Sequence, residues 1–373
     1  MNGLVLTGGG ARAAYQVGVL SYIAEKAPDV RFPIIVGVSA GAINAAFLAG
    51  HRGTPAEVLE RLSDAWACLT IERIFRSDLS SLSRRGLGWF WAFGARGNAL
   101  LPQLRGLLDT TPLREFLEER LDIAGIEDNV RAGRLRALAL TATRYATGQT
   151  VTFVQGAPDV PTWERARRCG VRTQISEDHV MASGALPLIF PAIMADGEYY
   201  GDGSIRQAAP LAPAIHLGTT RLLAISTRYS PSLSEVRELA SASYPPPARV
   251  LGMLFNTVFL DTLEGDAERL QRLNRLLALL PPGTPNTDGL RRVGLHVIRP
   301  SRDLGKLAEG YQNNLPRSLK LMLRGLGVRR LRGAELLSYL IFEQPYLGQV
   351  IELGYEDALS NWGELERFLV GGD

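Results

Sequence analysis

Phe32-Pro33-Ile34-Ile35-Val36-Gly37-Val38-Ser39-Ala40-Gly41-Ala42-Ile43-Asn44-Ala45-Ala46-Phe47-Leu48 is the stretch on which the reading of this chain turns. Phe32 to Val36 is a short apolar run that predicts a buried strand, and Ala42 to Leu48 predicts an Ala-rich helix. Between them lies Gly37-Val38-Ser39-Ala40-Gly41, a Gly-x-Ser-x-Gly on a strand-to-helix turn. That context is what a nucleophile elbow requires. The serine stands on a cramped turn, and side chains larger than glycine at Gly37 or Gly41 would collide with neighbouring backbone. The helix N-terminus adds positive potential where negative charge would develop. The rival reading is a tight turn with a capping serine. The flanking strand and helix favour Ser39 as a nucleophile.

Upstream, Leu4-Val5-Leu6-Thr7 predicts a first buried strand, and Gly8-Gly9-Gly10 turns it into a helix from about Ala13 to Glu25. Consecutive glycines followed by Ala11 and Arg12 allow backbone N–H groups to converge on an anion, as an oxyanion hole needs. A dinucleotide site is the competitor, but its fingerprint wants glycine where the chain has Ala13. It also wants an acidic residue after the second strand, where the chain has the serine turn. Arg12, beside the glycines, reads as a site residue that pairs with the elbow region or with a lipid phosphate; a surface arginine is the alternative.

Downstream, Leu135 to Thr143 predicts a third strand that returns through Thr147-Gly148 into Thr150 to Val154, and Leu222 to Ser226 and Val293 to Ile298 are further β segments. Strands interleaved with helices imply an α/β fold with a mostly parallel sheet. Residues 57 to 121 and 232 to 280 read as helical insertions, and the tail from 315 to 369 is helical by pattern.

A serine nucleophile needs a base. None of His51, His179, His216 and His296 lies in a loop after a strand, where a catalytic histidine would sit, so each reads as structural. A carboxylate can replace it. Asp202 sits between Gly201 and Gly203, after a short β-like run that opens at Asp196-Gly197, and the two glycines permit close approach of another backbone. By its local sequence Asp202 is equally readable as a turn aspartate.

Four blocks taken together resemble the patatin-like phospholipases: Gly8-Gly9-Gly10-Ala11-Arg12, Gly37 to Gly41, Met181-Ala182-Ser183-Gly184-Ala185-Leu186-Pro187-Leu188-Ile189-Phe190-Pro191, and Asp202-Gly203. The resemblance spans roughly residues 4 to 227. It implies a three-layer α/β/α fold with a mostly parallel central sheet and additional helical insertions. It also implies a Ser39–Asp202 dyad that needs no histidine, with Gly8, Gly9, Gly10, Ala11 and Arg12 forming the oxyanion loop. Two positions depart from the family pattern: Ala13 stands where glycine is common, and Ser204 stands where a second glycine or an alanine commonly follows the Asp-Gly pair. The implied organisation is a catalytic domain over 4–227, its sheet completed by 293–299, and a mostly helical accessory extension over 228–373.

The bulk composition fits this reading. With 46% hydrophobic and 21% charged residues over 373 positions, the chain can bury a full core. A net charge of +3 argues against nucleic acid as partner while tolerating an anionic membrane surface. Only Lys26, Lys306 and Lys320 among the 41 basic residues are lysine. Cys68 and Cys169 read as small buried side chains of a reducing compartment. No spacing predicts a metal site or a cofactor. Asn2-Gly3 leads into a short apolar run, not a signal peptide, and Val250 to Leu260 is too short to span a membrane, so a cytoplasmic or peripheral protein is expected. Arg84-Arg85 with Trp89-Phe90-Trp91 and Phe93 suits a bilayer interface or a covered core, and Arg324 to Arg332 a solvated helix face. The expected substrate is a phospholipid or other lipid ester. A transacylase, a neutral-lipid esterase and a catalytically silent lipid-binding protein are the alternatives.

Overall fold

Strands β1 (Asn2–Leu6) and β2 (Ile34–Val38) lie parallel at the centre of a single sheet, and β2 is buried at every position. Their Val-, Ile- and Leu-rich composition is that of strands covered on both faces. The structure, a computed structural model, describes residues 1–76, 106–231, 233–238, 262–281, 289–311, 315–316, 320 and 334–371. The aromatic-rich run at 84–93, the apolar run at 250–260 and the arginine-rich run at 324–332 all lie outside the described residues.

β3 (Ala137–Arg144) pairs parallel with β2; on the far side of β1 lie β9 (Arg221–Ile225) and then β10 (Gly294–Ile298), both parallel. β4 (Thr150–Gly156) returns antiparallel to β3 through the Thr147-Gly148 turn. Beyond it the sheet continues through β6 (Arg168–Arg172) and β5 (Trp163–Arg165), a pair with no strand signal in the sequence: Trp163 to Arg172 is polar, arginine-rich and mostly exposed. The sheet is therefore mixed and mostly parallel along its core, with helices on both faces. On one face lie α1 (Ala14–Lys26), α2 (Ala40–Gly50) and α3 (Pro55–Ala67). On the other, α8 (Ala212–His216) and the amphipathic α10 (Thr262–Ala278) pack over Val5, Val36 and Leu222.

Two registers matter for function. β2 ends with Val38 opposite Thr141 of β3. β8 (Glu198–Asp202), hairpinned with β7 (Ile193–Ala195), pairs antiparallel with the next residues of β3, placing Asp202 opposite Ala142. Because β4 occupies the other edge of β3 over 137–143, β8 must take up the edge that β2 vacates. The last residue of β8 is thereby set beside the turn that leaves β2.

The C-terminal residues are packed into the body. α13 (Gln344–Ser360) crosses α1 at contact distance: a Cβ on Gly354 would lie 2.2 Å from the Tyr15 carbonyl oxygen. The Tyr15 hydroxyl donates to Asp357 Oδ2 at 2.9 Å, which also accepts the Ser301 N–H. α12 (Ala334–Leu340) abuts the Gly8–Arg12 loop, and α14 (Trp362–Leu369) follows α13. Cys68 is exposed at the end of α3 and Cys169 is half-buried near the sheet edge, so neither is the core residue expected from sequence. Among the described residues no helix is long and apolar enough to cross a membrane, and no cluster of His, Cys, Asp and Glu could hold a metal ion.

Candidate active site

Ser39 sits between β2 and α2 with φ +56° and ψ −131°, a left-handed backbone that a non-glycine residue adopts only when its surroundings enforce it. Those surroundings are tight. A Cβ at Gly37 would lie 2.5 Å from the Gly41 carbonyl oxygen, and one at Gly41 would lie 2.3 Å from that of Leu6. The two flanking glycines are thus what lets the turn press against β1. The Ser39 N–H donates to Ser183 Oγ at 3.0 Å, and Ser183 in turn donates to the Thr141 carbonyl at 2.6 Å. Ser183 is fully buried on α7 (Glu177–Ser183) and ties the strained turn to β3. Its segment, Met181 to Pro191, carries no local mark that assigns Ser183 a role. The usable signal was a hydroxyl in a run of small and apolar residues, which must find a partner when buried.

The Asp202 carboxyl lies at the end of β8 and is 0% exposed. Its backbone is held on both sides: the N–H donates to the Ala185 carbonyl at 2.9 Å and the carbonyl accepts from Thr143 Oγ1 at 2.9 Å. Gly201 and Gly203 permit this fit. A Cβ at Gly203 would stand 2.2 Å from the Thr141 carbonyl oxygen, and one at Gly201 would stand 2.2 Å from the Tyr145 hydroxyl. Oδ1 accepts the Ser204 N–H at 2.8 Å, whereas Oδ2 is buried and accepts no aligned hydrogen bond. Burial pushes the carboxyl up to about 6; the Ser39 hydroxyl and the N–H and hydroxyl of Ser204 oppose that rise. The Ser39 and Ser204 hydroxyls thus lie close to the carboxyl, although neither makes an aligned hydrogen bond to Oδ2.

The glycine loop closes the third side. A Cβ on Gly8 would lie 2.8 Å from Ser39 Cβ. Gly9 and Gly10 both carry positive φ, at 157° and 56°, and lead into a short 3-10 turn, Gly10–Ala13, that runs into α1. The opening N–H groups of a helical segment have no partner within it, so those of Gly10 and Ala11 are available to an anion. Thr227 Oγ1 donates to the Gly8 carbonyl, and the Thr227 N–H donates to Thr7 Oγ1, which fixes the loop against the end of β9. The Arg12 side chain points elsewhere: it is 3% exposed, Nε donates to Ser338 Oγ at 2.7 Å, and the guanidinium lies 4.7 Å from the Tyr339 ring centre. Its place is the scaffold beneath the loop, and it is neither at the surface nor on the elbow. Ala13 is fully buried, and its carbonyl accepts from Asn44 Nδ2. Asn44 also bonds Gln16 and the Trp66 indole, and Gln16 donates to the Thr7 carbonyl, a buried polar relay that links loop, elbow helix and α3. Nothing in the sequence marked it.

The four histidines have partners of their own. His51 stacks on Phe47, His179 completes a capping box with Ser176 and meets Asp196 at 3.1 Å, His216 stacks on Trp163, and His296 lies on β10 near Phe368. None is among the groups that act on Asp202. From Ser39 a narrow cavity runs between Ile43, Trp66, Leu113, Phe116, Met181 and Phe342; its lining is almost entirely apolar. A larger cavity, ≈ 420 Å³, lies against Leu4, Leu48, Arg31 and Arg134 and includes none of the residues just described.

Comparison with known proteins places the chain in a family. Residues 4–215, more than half of the chain, match the family model described as Patatin-like phospholipase. No curated protein matches in sequence. Among solved structures, human GIVD cytosolic phospholipase A2 in complex with methyl gamma-linolenyl fluorophosphonate is 13% identical, with 99% of this chain and 59% of that one covered and a TM-score of 0.47. VipD from Legionella pneumophila is also 13% identical, with 97% and 67% covered and a TM-score of 0.40. This chain thus spans less than two thirds of the human enzyme's length. The chain belongs to the patatin-like phospholipase family of lipid acyl hydrolases.

Proposed function

We propose that the chain hydrolyses the carboxylic esters of phospholipids or lysophospholipids through an acyl-Ser39 intermediate, with Asp202 as general base. The observation that carries this reading is the Asp202 carboxyl, wholly buried beside the strained Ser39 turn, with one oxygen unpaired and its pKa pushed up to about 6. A carboxylate in that condition lacks the strong stabilisation a salt bridge would supply, so it accepts a proton at neutral pH more readily than an exposed one. Asp202 takes the Ser39 proton as Ser39 Oγ attacks the ester carbonyl. The N–H groups of the Gly8-Gly9-Gly10-Ala11 loop hold the resulting oxyanion. Collapse expels the lyso-lipid or alcohol, which leaves with the proton from Asp202. Water, deprotonated by the same carboxylate, then attacks the acyl carbon; the fatty acid is released and Ser39 Oγ takes back the proton from Asp202.

The apolar cavity leading from Ser39 supports an aliphatic acyl group as the part of the substrate held there. In this reading residues 4–227 carry the chemistry, while 228–373 act as an accessory extension that buttresses the loop through Arg12, Ser338 and Tyr339. The test compares wild type, Ser39→Ala and Asp202→Asn on a fluorescent phospholipid and a short p-nitrophenyl ester, with fluorophosphonate labelling alongside. Turnover should be lost in both variants and labelling in Ser39→Ala. A wild type that neither turns over nor labels would instead favour a silent lipid-binding protein.

A further inference from the structure

Two buried polar atoms of the site lack a hydrogen-bond partner: Asp202 Oδ2 and the Ser204 hydroxyl. They are neighbours. The Ser204 N–H already donates to Asp202 Oδ1 at 2.8 Å, which anchors the serine beside the carboxylate. A Cβ on Gly8 would lie 3.0 Å from Ser204 Oγ and 3.5 Å from Ser39 Oγ, so both hydroxyls crowd the same glycine. An unsatisfied buried donor next to an unsatisfied buried acceptor is an unstable pairing that a small rotation of the Ser204 hydroxyl resolves.

We infer that Ser204 is a positioning residue of this active site: its hydroxyl donates to the Asp202 carboxylate and favours the ionised form that takes the proton from Ser39. The inference rests on the Ser39 and Asp202 roles proposed above. Ser204 keeps its own proton throughout. Protons in transit pass through Asp202 alone, first from Ser39 to the leaving group and then from water back to Ser39. A donor to the charged form favours that form, so Ser204 extends the working range of the base toward lower pH.

Among the described residues, no charged group acts on Asp202. Arg144 on β3 pairs with Glu198 at 2.7 Å, His179 on α7 meets Asp196, and Arg12 is held by Ser338 and Tyr339. Arg206, after the turn, lies near Gly148. The Tyr145 phenol senses the Asp202 charge, while the groups that act on Asp202 itself are Ser39 and Ser204.

The test is the pH profile of kcat/KM on a p-nitrophenyl ester for wild type, Ser204→Ala, Ser204→Gly and Ser204→Thr, each checked for cooperative melting. The acid limb should rise by about half to one pH unit in the Ala and Gly variants, which is a roughly three- to tenfold loss at a pH below the limb. The curves should converge at alkaline pH, and Thr, which keeps the hydroxyl, should restore the limb. A uniform loss at every pH, or superimposable profiles, overturns the inference. A second measurement does not need turnover: the Asp202 carboxyl stretch, isolated as an infrared difference against Asp202→Asn, is titrated in wild type and in Ser204→Ala. An upward move supports the role of Ser204 and an unchanged titration refutes it, even where absent labelling has already dismissed the hydrolase reading.

Discussion

Asp202→Asn should abolish turnover and make the protein more stable at pH 8, but not at pH 4. Asparagine has the shape of aspartate. Its Oδ1 keeps the Ser204 N–H bond, and an amide NH2 takes the place of the other carboxyl oxygen. What changes is the charge. In the fold the carboxyl is pushed up to about 6 by complete burial, against 3.8 for the free group. The folded protein therefore binds the proton more tightly than the unfolded chain. The native state loses stability as pH rises from about 4 through about 6 and recovers none of it above. The gap is roughly two pH units, worth about 3 kcal/mol at about 1.4 kcal/mol each. With an unfolding entropy of about 2 cal/mol/K per residue, that is a rise of about 4 °C in Tm for a chain of this size. The assay is calorimetric melting of wild type and Asp202→Asn in parallel at pH 4, 5, 6 and 8, with urea titration at the two extremes. The difference should be near zero at pH 4, should open across pH 4–6 and should be flat above pH 7. A pH-independent difference, or an asparagine variant less stable at pH 8, would refute the claim that a carboxylate with no cationic partner is buried there.

Three other outcomes follow from the packing around the site. Gly10→Ala should fold but lose about a hundredfold or more in kcat/KM on a short ester, because φ is +56° and the new methyl would stand 2.2 Å from the Tyr339 carbonyl oxygen, displacing the loop proposed to hold the oxyanion. Gly354→Ala should lower stability by about 1–3 kcal/mol in urea titration, since the methyl would meet the Tyr15 carbonyl at 2.2 Å and push α13 off α1. Ile43→Trp, which places an indole in the apolar cavity beside Ser39, should reduce turnover of a palmitoyl ester by about tenfold relative to a butyryl ester; an unchanged ratio would place the acyl chain elsewhere.

Much of the fold was legible because its strands are apolar on both faces. Leu4 to Leu6, Ile34 to Val36, Ala137 to Thr143 and Leu222 to Ile225 announce themselves by composition, and the glycine turns punctuate them. Only the boundaries moved: β2 runs on through Gly37 and Val38, and α2 starts at Ala40. The β5–β6 pair was silent, because Trp163 to Arg172 is a polar ribbon at the sheet's edge with no buried face to impose alternation. Ser39, Asp202 and the Gly8 loop stand out in the sequence as candidates because a glycine-flanked turn restricts residue type. Ser183, the Asn44–Gln16–Trp66 relay and the Arg12 anchor do not, since a buried polar side chain is recognised by its partner, and every partner here is distant in sequence.

The sequence by itself determined which strands form, that a serine is held on a glycine-flanked turn, and that an aspartate is bracketed by glycines. Those properties are local: burial pattern, backbone freedom and residue type are written within a few positions. Tertiary structure decided that the serine and the aspartate meet. β8 occupies the edge of β3 that β2 leaves free, setting Asp202 opposite Ala142, one residue beyond the Thr141 that faces Val38. It also decided that the Asp202 carboxyl is dry and that α12, more than three hundred residues from the glycine loop, supports it through Arg12. Registry and burial depend on which distant segments share an edge or a face, and no local window of sequence contains that information.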